Sequence, residues 1–289
     1  MKLIDIIKRD KPGLSFEVFP PKTWDKLDSV IATTEKIAKL EPTYMSVTYG
    51  AGGGTSDYTV KIAKNLKENC GVTPLAHLTC VSSTKEKVLA QLDELKGAGI
   101  ENVLALRGDL VPGMDMNNLD YRYASQLIYD IKEYMGDSFC IGGACYPEGH
   151  PESASYKDDI KYLKEKVDAG CEFLTTQMFF DNDVLYNFMY RIREAGIEVP
   201  VVAGIMPVTN PNTIKRTMSI SGNALPHKII RLVDRYGDNP EALKQAGIAY
   251  ATEQIIDLYA NGINAVHVYC MNKPDVAEKI KSNISEILK

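Results

Sequence analysis

Short apolar runs alternate with amphipathic segments along almost the whole chain. The apolar runs are typical of parallel strands buried on both faces, and they lie at residues 14–19, 44–49, 74–81, 102–110, 139–145, 173–180, 199–208 and 265–270. The segments between them carry apolar residues at helical spacing, at residues 25–40, 59–69, 85–97, 121–135, 156–169 and 183–195. The pattern therefore predicts eight strands, each followed by a helix.

The longest interval between two predicted strands, residues 209–261, is long enough for two or three extra helices between strands 7 and 8. Nothing along the chain resembles an interdomain linker, so we expect residues 1–289 to form one α/β domain, a single (β/α)8 TIM barrel. A doubly wound sheet is the alternative, but residues 50–55 do not complete the glycine fingerprint of a dinucleotide-binding turn. The amphipathic residues 1–10 predict a short helix that covers one end of the fold.

Charge and composition exclude several classes of partner. The net charge of −5 and the lack of a Lys/Arg run predict no nucleic-acid partner and no anionic membrane surface. No stretch approaches the roughly 18 apolar residues that a membrane span needs. The six cysteines form no Cys-x-x-Cys pair, so we expect reduced thiols in a cytoplasmic protein and no metal site. We also expect a homo-oligomer that acts on small molecules.

Polar side chains gather at the predicted carboxyl ends of the strands, where barrel enzymes carry their active sites. The strand at 102–110 organises this end, because its apolar run stops at the polar residues 107–109 (Arg-Gly-Asp). Glu17 lies inside another apolar run, where a carboxylate faces either a paired core position or a functional cavity. His77 is open to two interpretations, a satisfied core group or a site residue. The other candidates are Thr48, Tyr49, Tyr146, Glu148, His150, Gln177 and Lys273.

These side chains suit a planar ligand with polar edges. No lysine lies buried mid-strand at this end, which disfavours a Schiff-base aldolase. The exit of strand 7 has no Gly-x-Gly phosphate loop, which disfavours a sugar-phosphate isomerase. A glycosidase needs an acid pair and aromatic platforms, and Trp24 is the only tryptophan.

Eight short segments, in order over nearly the whole chain, carry a resemblance to a known family. They are Phe-Glu-Val-Phe-Pro-Pro (16–21), Ser-Val-Thr-Tyr-Gly-Ala (46–51), His-Leu-Thr-Cys (77–80), Leu-Ala-Leu-Arg-Gly-Asp (104–109), Tyr-Pro-Glu-Gly-His-Pro-Glu (146–152), Lys-Val-Asp-Ala-Gly (166–170), Thr-Gln-Met-Phe-Phe-Asp (176–181) and Gly-Ile-Met-Pro-Val (204–208). With these segments the chain resembles the flavin-dependent 5,10-methylenetetrahydrofolate reductases. The resemblance implies a (β/α)8 barrel with FAD at its C-terminal face. It also implies ping-pong hydride transfer from NADH or NADPH through FAD to methylenetetrahydrofolate, which supplies methyl groups for methionine synthesis.

The resemblance further implies roles for single residues. Glu17 is the general acid for the departing nitrogen of the substrate, with a pKa raised by its apolar strand. Asp109 stabilises the cationic iminium and tunes the flavin, and Gln177 binds the pterin. The positions implied for FAD are Thr48, Tyr49, Ala51, His77, Arg107, Gly108, Asp109, Ala124, Tyr146, His150, Asp159 and Lys166, with Arg107 and Lys166 beside the pyrophosphate. The substrate positions are Glu17, Thr48, Asp109, Gln177, Thr213 and Lys273.

The chain departs from the family pattern at four positions. Thr213 and Lys273 replace a glutamine and an arginine that contact folate, and Lys273 keeps the charge without the guanidinium fork. Tyr162 and Glu165 replace an asparagine and an arginine near FAD. We expect a catalytic barrel without the regulatory domain of larger relatives. Two alternatives stay open: a catalytic subunit whose flavin is reduced by a partner electron-transfer protein, and a folate- or flavin-binding module without turnover.

Overall fold

Eight short parallel strands close into a barrel in chain order, β1 to β8. The computed structural model describes residues 1–49, 56–110, 119–212, 214 and 225–289. The strands are β1 (Gly13–Val18), β2 (Met45–Val47), β3 (Pro74–Thr79), β4 (Asn102–Leu106), β5 (Cys140–Cys145), β6 (Phe173–Thr176), β7 (Val201–Ile205) and β8 (Ala265–Val268). The α/β barrel predicted from the apolar periodicity is thereby confirmed.

Ten α-helices of the described ranges accompany the strands. They are α1 (Ile4–Ile7), α2 (Leu27–Ala38), α3 (Ser56–Glu68), α4 (Lys85–Gly97), α5 (Ala124–Met135), α6 (Tyr156–Asp168), α7 (Asn182–Glu194), α8 (His227–Tyr236), α9 (Pro240–Ala260) and α10 (Pro274–Asn283). The helices α8 and α9 are the extra helices expected between strands 7 and 8. Thr213 and residues 215–224 lie outside the described residues.

The side chains of β1 show how the period of two divides the barrel wall. Leu14, Phe16 and Val18 belong to the large buried cluster between the strands and the helices. Ser15 and Glu17 alternate with them and face the barrel interior, where Ser15 contacts a buried histidine of β8. The odd-numbered positions of this strand therefore supply polar groups to the inside of the barrel.

The N-terminal segment closes the opposite end of the barrel, as its amphipathic pattern predicts. Leu3 and Ile7 pack against Leu104 and Phe173 from the strands. The amide of Leu3 donates a hydrogen bond to Asn102 Oδ1 at 2.7 Å, which fixes α1 below β4. The segment therefore covers this end of the barrel, and Ile6 and Ile7 also line a cavity beside α1.

Several strands end earlier than their apolar runs. The run at 102–110 continues only to Leu106 as a strand, because Gly108 takes a left-handed φ of 90° and turns the chain. In the run at 199–208, Pro200 precedes the strand and Pro207 follows it. Proline has no backbone N–H to donate to a neighbouring strand, and β7 is limited to Val201–Ile205. The polar residues after each strand therefore lie in loops at the barrel mouth.

The six cysteines carry no disulfide, and Cys70 alone among them is incompletely buried, in agreement with reduced thiols. No helix in the described part of the chain is both long and apolar enough to cross a membrane. Within the same residues, no group of three or more His, Cys, Asp or Glu side chains is arranged to hold a metal ion.

Candidate active site

Glu17 is an isolated acid inside the barrel mouth. Its side chain is 17% exposed, and burial raises its pKa from 4.5 to about 8. The raised pKa agrees with the expectation from the apolar run of β1. At neutral pH the Glu17 carboxyl is therefore mostly protonated and uncharged.

His77 is the nearest titratable partner of this acid. Its Nε2 lies 3.8 Å from Glu17 Oε2, and no described residue hydrogen-bonds to that nitrogen. Burial lowers the pKa of His77 to about 4, so the ring is neutral when the carboxyl is protonated. The contact therefore joins two neutral groups and is not an ion pair. We call Glu17, His77 and the barrel interior beneath them the acid pocket.

A second buried histidine supports the acid pocket from below. His267 lies 2.7 Å from Ser15 Oγ through Nδ1 and 2.8 Å from Ser46 Oγ through Nε2. Because the Ser15 hydroxyl already donates to Val266 O, it accepts from Nδ1–H, and Ser46 donates to Nε2. Burial, with a smaller contribution from nearby His77, lowers the pKa of His267 to about 3. This neutral ring fixes the interior without adding charge.

Three further predicted residues follow β2 and β6, which lie across the barrel from each other. Thr48 follows β2, and its backbone amide donates to Val18 O at 3.0 Å. The Tyr49 hydroxyl accepts a hydrogen bond from Gln91 on α4. Gln177 follows β6, where its amide N–H donates to Cys145 O at 2.7 Å, and its Oε1 accepts from Met178 N–H at 3.0 Å.

The ends of β4 and β5 carry paired charges instead. Arg107 donates two hydrogen bonds of 2.6 Å to the two carboxylate oxygens of Glu152. This pairing raises the pKa of Arg107 and lowers that of Glu152. Gly108 packs closely, since a Cβ there would lie 3.1 Å from Thr79 Cβ. Asp109 is exposed beside this pair and contributes to raising the Arg107 pKa.

Lys166 and Asp159 on α6 lie close to the Arg107–Glu152 pair. Lys166 Nζ donates to Ala144 O at 2.9 Å, and burial lowers its pKa. Asp159 is buried nearby and accepts from Ser153 Oγ at 3.0 Å. The rings of Tyr146 and His150 meet edge to face at 4.5 Å. We call Arg107, Tyr146, His150, Glu152, Asp159 and Lys166 the charged ridge; the predicted Ala124 is the buried first residue of α5.

A cavity of about 240 Å³ opens between the ends of β7 and β8. Its wall is mostly apolar, and Lys273 adds a cation whose Nζ donates to Thr209 Oγ1 at 2.9 Å. The other lining residues are Met206, Pro207, Val208, Asn210, Ile214 and Met271. Lys273 thus lies at this cavity and not in the acid pocket.

The structure brings most of the predicted residues to one face, but Ala51 and Thr213 lie outside the described residues. Sequence reasoning missed Glu152 as the partner of Arg107 and Thr209 as the partner of Lys273. Glu152 ends the quoted Tyr146–Glu152 segment, so its position after β5 was a usable signal. His267 was also missed, although the short apolar run of β8 carries it.

Comparisons with known proteins point to one family. A family model described as methylenetetrahydrofolate reductase matches residues 2–285. The chain is 36% identical to methylenetetrahydrofolate reductase (NADH) 1 of Arabidopsis thaliana, over 99% of this chain and 51% of the relative. It is 34% identical to 5,10-methylenetetrahydrofolate reductase of Escherichia coli, over 93% of this chain and 89% of the relative. The chain thus spans about half the length of the plant relative and most of the bacterial one.

Solved structures agree on the fold. An uncharacterized protein from Clostridium thermocellum, described as binding two copies of 5-methyl-5,6,7,8-tetrahydrofolic acid, matches with a TM-score of 0.69. The match covers 99% of both chains at 14% identity. At that identity the similarity supports the barrel architecture alone.

Proposed function

The chain belongs to the methylenetetrahydrofolate reductase family, and we propose that it reduces 5,10-methylenetetrahydrofolate to 5-methyltetrahydrofolate. We propose that FAD carries the electrons in a ping-pong sequence, with NADH or NADPH as the donor. Relatives bear both names, NADH in Arabidopsis thaliana and NADPH in Caenorhabditis elegans, so the donor stays a choice of two. In this proposal residues 1–289 act as one catalytic domain, and its product supplies methyl groups for methionine synthesis.

The proposal rests on the Glu17 carboxyl, which is enclosed in the barrel mouth 3.8 Å from His77 Nε2. Reduction requires the five-membered ring of the substrate to open, and the departing nitrogen takes both the electron pair of the breaking C–N bond and a proton. An acid whose pKa is about 8 holds that proton at neutral pH and can still release it. The ring carbon is left as an iminium cation that accepts the hydride.

Two residues at the mouth would complement this acid. Asp109 is exposed at the end of β4 and supplies a negative charge for the iminium cation. Gln177 uses its Oε1 on the Met178 amide, so its NH₂ group is the part available to the edge of the pterin. Thr48 follows β2, the strand that pairs with β1 in the barrel, and we assign it to substrate and nicotinamide contact.

The charged ridge fits an anionic dinucleotide cofactor. Arg107 follows β4, and Lys166 on α6 brings its Nζ to Ala144 O of the adjacent strand β5, while the Tyr146 and His150 rings offer aromatic surface. Gly108 next to Arg107 has no side chain, so a ligand can approach its backbone closely. FAD, when bound, supplies the two-electron chemistry that no side chain offers.

The proposal is tested by an anaerobic absorbance experiment on the purified chain reconstituted with FAD. We expect NADH or NADPH to bleach the flavin band, and 5,10-methylenetetrahydrofolate to restore it while 5-methyltetrahydrofolate forms. A flavin that only a chemical reductant bleaches, yet the folate reoxidises, would identify a partner electron-transfer protein as the donor. A reduced flavin that the folate does not reoxidise would contradict the proposed reaction.

A further inference from the structure

The turn between β8 and α10 has an unusual backbone. Met271 and Asn272 are consecutive residues with φ of 56° and 52°, and among the described residues only Glu41 is another non-glycine with positive φ. Side chains in this left-handed region crowd the backbone, and such residues persist where their surroundings hold them in place. The turn therefore needs a local restraint.

The side chain of Asn272 provides that restraint. Its Oδ1 accepts from Phe19 N–H at 3.0 Å, and its Nδ2 donates to Phe19 O at 2.9 Å. Phe19 comes two residues after Glu17, just beyond the end of β1. The ladder between β1 and β8 ends at the pair Phe16 and Val268, so the Asn272 amide continues the connection where the strands part.

The same turn places a cation where helix electrostatics oppose it. Lys273 is the N-cap of α10 and forms no capping hydrogen bond to the helix. The N-terminus of a helix carries partial positive charge, so a lysine there does not stabilise α10. Lys273 Nζ instead reaches Thr209 at the cavity between β7 and β8, and Met271 lines the same cavity. The Lys273 side chain thus contributes to the cavity and not to the capping of α10.

We propose that Asn272 is a positioning residue that holds the Met271–Lys273 turn so that the Lys273 cation faces the anionic tail of the substrate. The inference rests on the proposed function, because the occupant of the cavity is then the carboxylate-bearing tail of a folate. The clamp also ties that cation to β1, the strand that carries Glu17. Tail binding and acid placement would therefore share one structural connection.

A double-mutant cycle tests the positioning role. The dissociation constant of 5-methyltetrahydrofolate is measured for the reconstituted protein and for the variants Asn272→Gly, Lys273→Met and the double variant. Glycine accepts left-handed φ, so Asn272→Gly removes the clamp without adding strain. Loss of the Lys273 charge should weaken binding roughly tenfold, and loss of the clamp by a similar factor. Glu278→Gln, an exposed change on α10, is the control and should bind normally.

Coupling between the two substitutions decides the outcome. If Asn272 acts by placing Lys273, Asn272→Gly has almost no further effect once Lys273 is methionine. Effects that multiply in the double variant would overturn the positioning role. Asn272→His, a residue type that also adopts left-handed φ but lacks the paired amide, repeats the cycle should the glycine variant not fold. Wild-type protein that binds no folate would contradict the proposed function itself, which is a separate result.

Discussion

The acid pocket and the charged ridge lie on the same face of the barrel and control ionisation in opposite ways. In the acid pocket, Glu17 and His77 are buried without a counter-charge, and both are neutral near neutral pH. In the charged ridge, Arg107 and Glu152 are partly exposed, and their pairing stabilises the charged form of each by raising the Arg107 pKa and lowering the Glu152 pKa. Burial alone and burial with a partner thus produce different protonation states within one active-site mouth.

The difference suits the two tasks that we assign to these regions. Proton donation needs an acid that is still protonated at the working pH, and desolvation achieves this without any special residue type. Binding of pyrophosphate needs a permanent cation such as the Arg107 guanidinium, and the pair with Glu152 satisfies its hydrogen-bond donors while no ligand is bound. The two regions can therefore be altered separately, and each prediction below changes one of them.

The largest effect is expected for Glu17→Gln in the acid pocket. The amide keeps the size of the carboxyl but cannot donate the proton, so we expect reoxidation of reduced flavin by the folate to slow by roughly 10²- to 10⁴-fold. Reduction of the flavin by NADH should continue, because it needs no acid. Stopped-flow measurement of the two half-reactions checks this, with the exposed Glu68→Gln on α3 as the control. Equal slowing of both half-reactions would rule out the acid role.

Substitutions in the charged ridge should instead change cofactor affinity. Arg107→Met removes the fork and should weaken FAD binding roughly ten- to a hundredfold, measured by flavin fluorescence on titration of the apoprotein. Glu152→Gln removes a carboxylate that competes with phosphate for Arg107, and we expect FAD to bind severalfold more tightly. Weaker FAD binding in Glu152→Gln would show that Glu152 orients Arg107 rather than competing for it.

The acid pocket should also make stability depend on pH. The pKa of Glu17 is 4.5 in the ordinary state and about 8 when folded, so the unfolded chain releases its proton first and stability falls as pH rises through this window. The variant Glu17→Gln has no titrating group at this position, so its stability does not fall in this pH window for that reason. We expect it to gain on the order of 3–4 kcal/mol over the wild type between about pH 5 and about pH 8, measured by denaturant unfolding. A difference that does not change with pH would place the Glu17 pKa near its ordinary value.

The smallest effect is expected at Gly108, next to Arg107 of the charged ridge. Alanine there adopts φ of 90° and meets Thr79, so it should lower the free energy of unfolding by about 1–2 kcal/mol. Gly97 on α4 is the matched control, since a Cβ there meets nothing within 4 Å. Gly97→Ala should be neutral or stabilising. Equal destabilisation by both substitutions would mean that the turn at Gly108 does not require glycine.

Sequence reasoning predicts the fold well because the strands repeat a local pattern. Each apolar run, such as 102–110, reports burial on both faces, and eight such runs with helices between them leave few other architectures. The carboxyl ends of the strands then indicate which polar residues meet, and this is how Glu17 and Arg107 were assigned to one face. The raised pKa of Glu17 was also predictable, because an acid in an apolar run is desolvated whatever its partners.

Pairings between distant residues were not predictable in the same way. Arg107 and Glu152 are 45 positions apart, and Lys273 and Thr209 are 64 apart, so their contacts depend on loop geometry after the strands. The Asn272 clamp on Phe19 joins residues 253 positions apart, and although asparagine favours left-handed φ, the sequence does not indicate which distant backbone its side chain reaches. Such contacts form only when the barrel is closed, so the sequence alone does not predict them.

The pH dependence of the folate half-reaction tests the central claim most directly. Reduced enzyme is mixed with 5,10-methylenetetrahydrofolate from about pH 6 to about pH 9.5, and the rate of flavin reoxidation is recorded. We predict a rate that is constant at low pH and falls about tenfold per pH unit above the Glu17 pKa, which is about 8. A rate that rises through this range, or one that Glu17→Gln leaves unchanged, would contradict the assignment of Glu17 as the proton donor.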